Sequence, residues 1–444
     1  MSTGKPKSSG NGNGASIKLE YAGKKHVDEI LASKPAHLVR IGAHHQGGNR
    51  LIFGENLGVL AALAKDESVV GKVKLIYIDP PFSTQSAFES RMFAHAYDDT
   101  LAGAEFIEFL RERLILLHRL LADDGSLYLH LDERMTFHMR VILDEIFGPK
   151  NYRNCITRKK CNPKNYTRKT YGNVADYILF YTKGNGYCWN RQAEPWTDER
   201  AKEYRYVDTG TGRRYMKVPV HAPGVRNGET GKPWRGVMPP PGKHWQYQPS
   251  KLDEMDARGE IYWSPTGNPR RKVYLDQSDG VPVQDIWLDM RDAHNQNINI
   301  TGYPTEKPQA LLKRIVLSSS NPGDMVLDCF AGSGTTLAAA AELNRRWIGV
   351  DSGAEAIRTI LQRFALGMEP MGDFVSARTE KEESKCLPLF DTPETPKTST
   401  HVPITDYVLY AEQGRENELQ SLLSLNKSAP VVTEQPTTIA HALN

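Results

Sequence analysis

A chain of 444 residues is long for one compact core, so two domains plus tails is the expected organisation. Its 39% hydrophobic and 25% charged residues are ordinary for a globular protein, and no apolar run approaches the ~20 residues that span a bilayer, so no membrane partner is expected. The net charge of +3 says little, and the five cysteines (Cys155, Cys161, Cys188, Cys329 and Cys386) form no CxxC pair, so neither a disulfide framework nor a metal site is expected.

Residues 1–16 are rich in Ser, Gly, Asn and Lys and read as a disordered tail without the apolar stretch of a signal peptide, which points to a cytoplasmic protein. Leu75-Ile76-Tyr77-Ile78 predicts a short buried strand, stopped at once by Asp79-Pro80-Pro81, and residues 83–100 read as a loop. Phe106, Leu110, Leu114, Leu117 and Leu121 recur at spacings of three and four, which predicts a helix over about 104–122 that ends at Asp123-Asp124-Gly125. A strand over 126–131 and a helix over 133–147 follow. The alternation predicts a mostly parallel α/β sheet with helices on both faces, its first half spanning 17–150.

From 151 to 300 the chain is irregular, rich in Pro, Gly, Arg and aromatics, with a strand expected at Tyr177–Tyr181; it reads as an inserted domain. Residues 151–280 hold 24 Lys or Arg against 13 Asp or Glu, a local net charge of +11, and five of the seven tryptophans: Trp189, Trp196, Trp234, Trp245 and Trp263. Such a segment can neutralise phosphates and stack on bases; the alternative is a solvated basic face around an ordinary core. The α/β pattern returns over 301–372. A helix is expected over 308–318, a strand over 325–330, a tight loop over 331–334, a helix over 335–343 and a strand over 347–350 that ends at Asp351. Residues 373–444 read as a charged, Pro/Thr-rich C-terminal extension with a small element near 407–410.

Two constellations carry chemistry. In the first, Ala331-Gly332-Ser333-Gly334 links a strand to a helix, so the backbone turns sharply and presents free N–H groups to a ligand. Asp351 lies 23 positions after Asp328, near the spacing at which an acid accepts hydrogen bonds from ribose hydroxyls. Leu337 stands where a dinucleotide loop has its third glycine, and no Gly-Lys-Thr phosphate loop is present. A nucleoside cofactor without a pyrophosphate fits better, with S-adenosylmethionine the leading candidate. The second is Asp79-Pro80-Pro81-Phe82, at the C-terminal end of a strand, where open α/β sheets bind ligands. Asp79 and the Pro80 carbonyl can accept the two N–H protons of an exocyclic base amine, the prolines hold that carbonyl rigidly, and Phe82 offers a face for an extruded base. Alone, Asp-Pro-Pro is a strand-ending turn; beside the first constellation it reads as a catalytic loop.

These segments resemble the amino-methyltransferases of DNA, which make N6-methyladenine or N4-methylcytosine. Asp79-Pro80-Pro81-Phe82 resembles their catalytic motif, Phe330-Ala331-Gly332-Ser333-Gly334-Thr335-Thr336 their cofactor loop, and Thr305-Glu306-Lys307-Pro308 the segment that helps close the methionine pocket. Leu51 to Leu57, with Asn56, resembles the motif before the catalytic strand, although Glu55 stands where the family usually has Asp. The order (catalytic motif, basic insert, cofactor loop) is similar to the permuted β group, which includes modification subunits of type III restriction systems. The resemblance covers roughly 50–150 and 300–352 and implies a Rossmann-like fold, with the insert as target-recognition domain. It also implies direct methyl transfer without a metal, Phe330, Gly332 and Gly334 lining the cofactor, Asp351 holding its ribose, and double-stranded DNA as partner. Asp328, Ala331, Ser333, Thr335, Lys307 and Asn56 complete the expected cofactor set; for Thr335 helix capping, and for Lys307 a solvated position, are the structural alternatives. Adenine is favoured because family enzymes that methylate cytosine more often begin the tetrapeptide with Ser. Cytosine N4, a non-catalytic DNA-binding module, a homodimer and a restriction subunit stay open.

Overall fold

The computed structural model describes residues 17–41, 48–81, 100–163, 169–197, 199–292, 299–301, 303, 306–370 and 402–425. Residues 191–283 form one compact unit and the flanking residues form a larger one.

Ten strands build the sheet of the larger unit: β1 (Leu38–Ile41), β2 (Arg50–Phe53), β3 (Val73–Ile78), β4 (Leu121–Leu131), β5 (Tyr152–Lys159), β6 (Ala175–Thr182), β7 (Ile286–Trp287), β8 (Met325–Asp328), β9 (Arg346–Asp351) and β10 (Val408–Glu412). Their order is β1-β10-β2-β9-β8-β3-β4-β6-β5-β7. Every pairing from β10 to β4 is parallel, as is β5 with β7. The pairings β1 with β10, β4 with β6 and β6 with β5 are antiparallel. β3 and β8 are buried almost throughout, as strands covered on both faces must be. On one face Ile76, Ile78, Leu127, Leu129 and Leu327 share a core with Leu60, Leu110, Leu114, Leu117 and Ile142 of the helices Asn56–Leu63, Thr100–Leu120 and Glu133–Phe147. On the other, Tyr128 Oη lies 2.7 Å from Ser319 Oγ at the end of the helix Gln309–Ser319. There too the Trp347 ring meets Phe364 of the helix Ala354–Leu366, with centroids 5.3 Å apart.

Local chemistry sets the helix ends. Asp132 accepts hydrogen bonds from Arg134 N and Met135 N and so caps the helix at 133, and Gly148, with φ +83°, ends it at the expected place. The preceding helix ends earlier than its apolar spacing predicts. Leu121 already pairs with Val73 and Ser126 with Leu75, so Asp123-Asp124-Gly125, expected as a helix stop, lies in a bulge within β4.

Three expectations change. The compact unit runs over 191–283 rather than 151–300, because β5 and β6 complete the central sheet and β7 returns to it at 286. Most of the basic excess stays outside that unit: residues 151–190 hold eight Lys or Arg and one Asp. The C-terminal extension supplies β10, which pairs with both β1 and β2. Trp234 and Trp245, expected as base-stacking candidates, are buried with Val220, Leu252, Met255 and Ile261 in the core of the smaller unit, with Trp263 packed against it. The expected tail 1–16 lies outside the described residues. No described helix is long and apolar enough to cross a membrane.

Candidate active site

β3 and β8 are parallel neighbours, so the segments that follow them, Asp79 to Pro81 and Phe330 to Gly334, leave the same edge of the sheet. Strand alternation then places Tyr77 with Asp79, Val326 with Asp328 and Gly349 with Asp351 on the face covered by the helix Gln309–Ser319. Asp79 and Asp351 both act on the Asp328 carboxyl, so three acids from three adjacent strands converge.

Asp79 is the centre of the first group. Its Oδ2 forms an ion pair with the Lys307 ammonium, and both side chains are largely buried. Among the described residues its Oδ1 is buried without a hydrogen-bond partner. Lys307, for which a solvated position was the structural alternative, is buried and pairs with Asp79; it sits just before Gln309, and the burial of Pro308 and Glu306 beside it draws it inward. Phe82 and Thr305 lie outside the described residues.

The loop from Phe330 to Gly334, expected to hold the cofactor, is held from below. Phe330 N donates to Asp328 Oδ1 at 3.0 Å, and Gly334 N to Ala331 O at 2.7 Å. Burial pushes the Asp328 carboxyl up to about 7, against the hydrogen bonds it accepts from Thr336 and Phe330 N. Gly332 and Gly334 have φ of +53° and +74°, and a Cβ at Gly334 would stand 2.9 Å from Ile360 Cγ1, so the turn depends on glycine. Gly334 precedes the helix Thr335–Glu342, and the Ser333 and Thr335 hydroxyls lie 3.0 Å apart. Asp351 accepts from Gly332 N and Gly353 N, both at 2.8 Å, which fixes its carboxylate beside the loop; burial pushes its pKa up. Asn56 is engaged by protein on both sides, donating to Cys329 O at 2.9 Å and accepting from Arg113 Nε. Arg113 also pairs with Glu55 and lies 3.5 Å over the Phe109 ring, which packs on Phe330. The longer Glu55 thus reaches Arg113 while capping its own helix through Gly58 N.

Comparison with known proteins decides the family. A DNA methylase family model covering N6 and N4 enzymes matches residues 73–362, and the type II methyltransferase M.EcaI of Enterobacter cloacae is 44% identical over 425 residues, 94% of this chain and 91% of that one. The chain belongs to the DNA amino-methyltransferases. Among its relatives are the type III StyLTI Mod subunit of Salmonella typhimurium, 25% identical over 73% of this chain and 56% of the subunit, and the DNA adenine methyltransferase YhdJ of Escherichia coli, 27% identical over 70% and 81%. A DNA modification methylase of Thermus thermophilus, solved with S-adenosylmethionine, aligns at 20% identity and a TM-score of 0.39 over 71% of this chain and 93% of its own.

This methyltransferase also holds a polar rung that motif reading missed. Tyr77 Oη lies 2.8 Å from His130 Nδ1, His130 Nε2 lies 3.0 Å from Asp176 Oδ2, and Arg158 joins Asp176 at 2.9 Å and Asp292 at 2.6 Å. Burial works against the Asp176 carboxylate, but His130 and Arg158 outweigh it and hold its pKa well below the usual range. The rung crosses β3, β4, β6 and β5 on the face that carries Asp79. Its one sequence signal was a polar or titratable residue inside each apolar strand, as in Leu129-His130-Leu131. Among the described residues no cluster of His, Cys, Asp or Glu has metal-site form.

Proposed function

We propose that this DNA methyltransferase transfers the methyl group of S-adenosylmethionine to adenine N6 at a specific site, acting on a base swung out of duplex DNA. The Asp79 carboxylate carries the reading: Lys307 holds Oδ2, while Oδ1 is buried and, among the described residues, without a donor. An unmet buried acceptor costs about 1–3 kcal/mol, and a substrate N–H removes that cost. With Asp79 Oδ1 accepting one amine proton and the Pro80 carbonyl the other, the nitrogen is drawn toward the tetrahedral form in which its lone pair can attack. Phe82 supplies the stacking face for the base.

The residues fit the cofactor. The glycine-dependent loop from Phe330 to Thr335 would hold it, and Asp351, which keeps acceptor capacity beyond its two backbone contacts, would take the ribose hydroxyls. When bound, S-adenosylmethionine supplies a methyl group on a positively charged sulfur. The relative named as a DNA adenine methyltransferase supports adenine, as does the Asp that opens the tetrapeptide. The type III relatives are subunits of restriction-modification enzymes, which makes a restriction subunit the protein partner to look for.

Nucleoside analysis and methylation-sensitive sequencing of DNA from cells expressing the chain test this reading. N6-methyladenine at one short sequence is the expected product, absent from cells expressing Asp79→Ala. N4-methylcytosine would replace the base assignment, and full methylation by Asp79→Ala would overturn the mechanism.

A further inference from the structure

The unit 191–283 contains a four-stranded antiparallel sheet made of Tyr206–Val207, Arg214–Pro219, Ile261–Trp263 and Pro269–Tyr274. Its register pairs Lys217 with Lys272, Tyr215 with both Tyr206 and Tyr274, and Tyr262 with Arg270. Residues opposite one another, and those two apart, share a face, so Tyr206, Tyr215, Lys217, Tyr262, Arg270, Lys272 and Tyr274 lie on one side. The other side carries Ile261 and Trp263, which pack on the tryptophan core of the unit. The tyrosine and cation face therefore points away from that core.

Cations on this face outnumber the acids that meet them. Several other cations of the unit do meet acids: Lys232 with Glu229, Arg235 with Asp253, Lys251 with Glu254 and Arg258 with Glu260. On the face Lys272 meets Asp208. Arg205, Lys217 and Arg270 have no carboxylate in ion-pair range among the described residues. The Lys217 ammonium sits over two rings, 3.7 Å from the centroid of Tyr206 and 3.4 Å from that of Tyr262. Arg205 donates to Tyr206 Oη at 3.2 Å. The three cations cluster tightly enough that all lower the pKa of the Tyr206 hydroxyl, the Arg205 hydrogen bond most of all. Like charges side by side on a sheet repel, and an anion laid across them removes the repulsion.

We propose that this sheet face grips the phosphate backbone of duplex DNA, with Arg205, Lys217 and Arg270 as phosphate ligands and the Tyr206 and Tyr262 rings holding Lys217 in position. The proposal rests on DNA being the substrate and assigns a named surface to its backbone. A fixed row of cations fits a repeating phosphate chain better than a folded acidic protein, whose carboxylates have no regular spacing. Each phosphate contact on B-DNA contributes a salt slope of about −0.9, whatever the base sequence.

Fluorescence anisotropy of the full chain with a duplex oligonucleotide, over a series of salt concentrations, tests it. The double variant Lys217→Gln with Arg270→Gln should bind at least about tenfold more weakly, with a salt slope shallower by about 2. The control Lys232→Gln with Lys251→Gln removes the same charge from acid-paired positions and should bind almost as the parent does. Arg270→Gln alone, at an exposed side chain, should lower the slope by about 1, so the test survives if the Lys217 substitution disturbs folding. Parental affinity and slope in both Arg270 variants, or equal losses in the control, would overturn the face while DNA as substrate stands. No duplex binding by the parent chain at low salt would overturn both, and tighter binding of duplex RNA would overturn DNA as the occupant.

Discussion

Replacing Asp328 by Asn should stabilise the protein at alkaline pH and leave it nearly unchanged in acid. The carboxyl is buried beneath the cofactor loop, and burial moves its pKa from 3.8 to about 7. Between those values the folded chain keeps a proton on Asp328 that the unfolded chain has released. Stability from this proton is complete below about pH 4, falls as the pH rises, and is gone above about 7. At about 1.4 kcal/mol for each tenfold change in proton affinity, the whole loss is ~4 kcal/mol, of which ~3 kcal/mol falls between pH 5 and 8. Asn keeps the acceptor for Phe330 N and offers a donor to Thr336 without a charge to bury. Urea unfolding of both proteins at pH 5 and pH 8 gives the assay, read as variant minus parent so that other titrating groups cancel. The variant should gain ~3 kcal/mol over the parent between the two pH values. An equal difference at both would show that Asp328 carries no displaced titration and would refute the argument.

Gly334→Ala should destabilise the larger unit and weaken cofactor binding. It places a side chain at φ +74° and a Cβ 2.9 Å from Ile360 Cγ1, with an expected loss of about 1–3 kcal/mol in thermal unfolding. Asp351→Ala should weaken S-adenosylmethionine binding in calorimetry by at least about tenfold, since it removes both the ribose acceptor and the anchor of Gly332 N; an unchanged dissociation constant would remove Asp351 from the cofactor site.

Elements ruled by near neighbours were legible in the sequence. The strand before Asp79, the helix from Glu133 to Phe147 and the strand, glycine loop and helix around Gly332 each carry their start and stop signals within a few residues. Elements defined by distant partners were not. β10 looked like a minor feature near Tyr407–Tyr410, and only pairing with β1 and β2, more than 350 residues away, gives it a place. β5 read as irregular because Arg158 breaks its apolar pattern, and β6 was expected only from Tyr177, short of Asp176, yet Arg158 and Asp176 neutralise each other inside the sheet. Tryptophan composition suggested base stacking, but Trp234 and Trp245 are the bulk that a small unit needs for a core. For Lys307 the motif was visible and the partner was not: nothing in Glu306-Lys307-Pro308 indicates an aspartate 228 positions earlier.

The buried charges suggest what the site is built to meet. Of the three converging acids, Asp79 has Lys307 as its close cation, whereas Asp328 and Asp351 are satisfied by hydrogen bonds from loop amides and the Thr336 hydroxyl. Amide hydrogen bonds orient a carboxylate but leave its charge to be matched. For Asp351 a positively charged sulfur in the loop would meet that charge, whereas Asp328, pushed up to about 7 by burial, can keep its proton instead. The rung from Tyr77 to Arg158 works in the opposite sense. Asp176 Oδ2 meets Arg158 and His130 within the protein, while among the described residues its Oδ1 is buried without a hydrogen-bond partner, and the rung ties β3, β4, β6 and β5 together under Asp79. One face of the sheet thus holds a polar network that links four strands beside the buried acids Asp328 and Asp351, and Asp79 stands where the two meet.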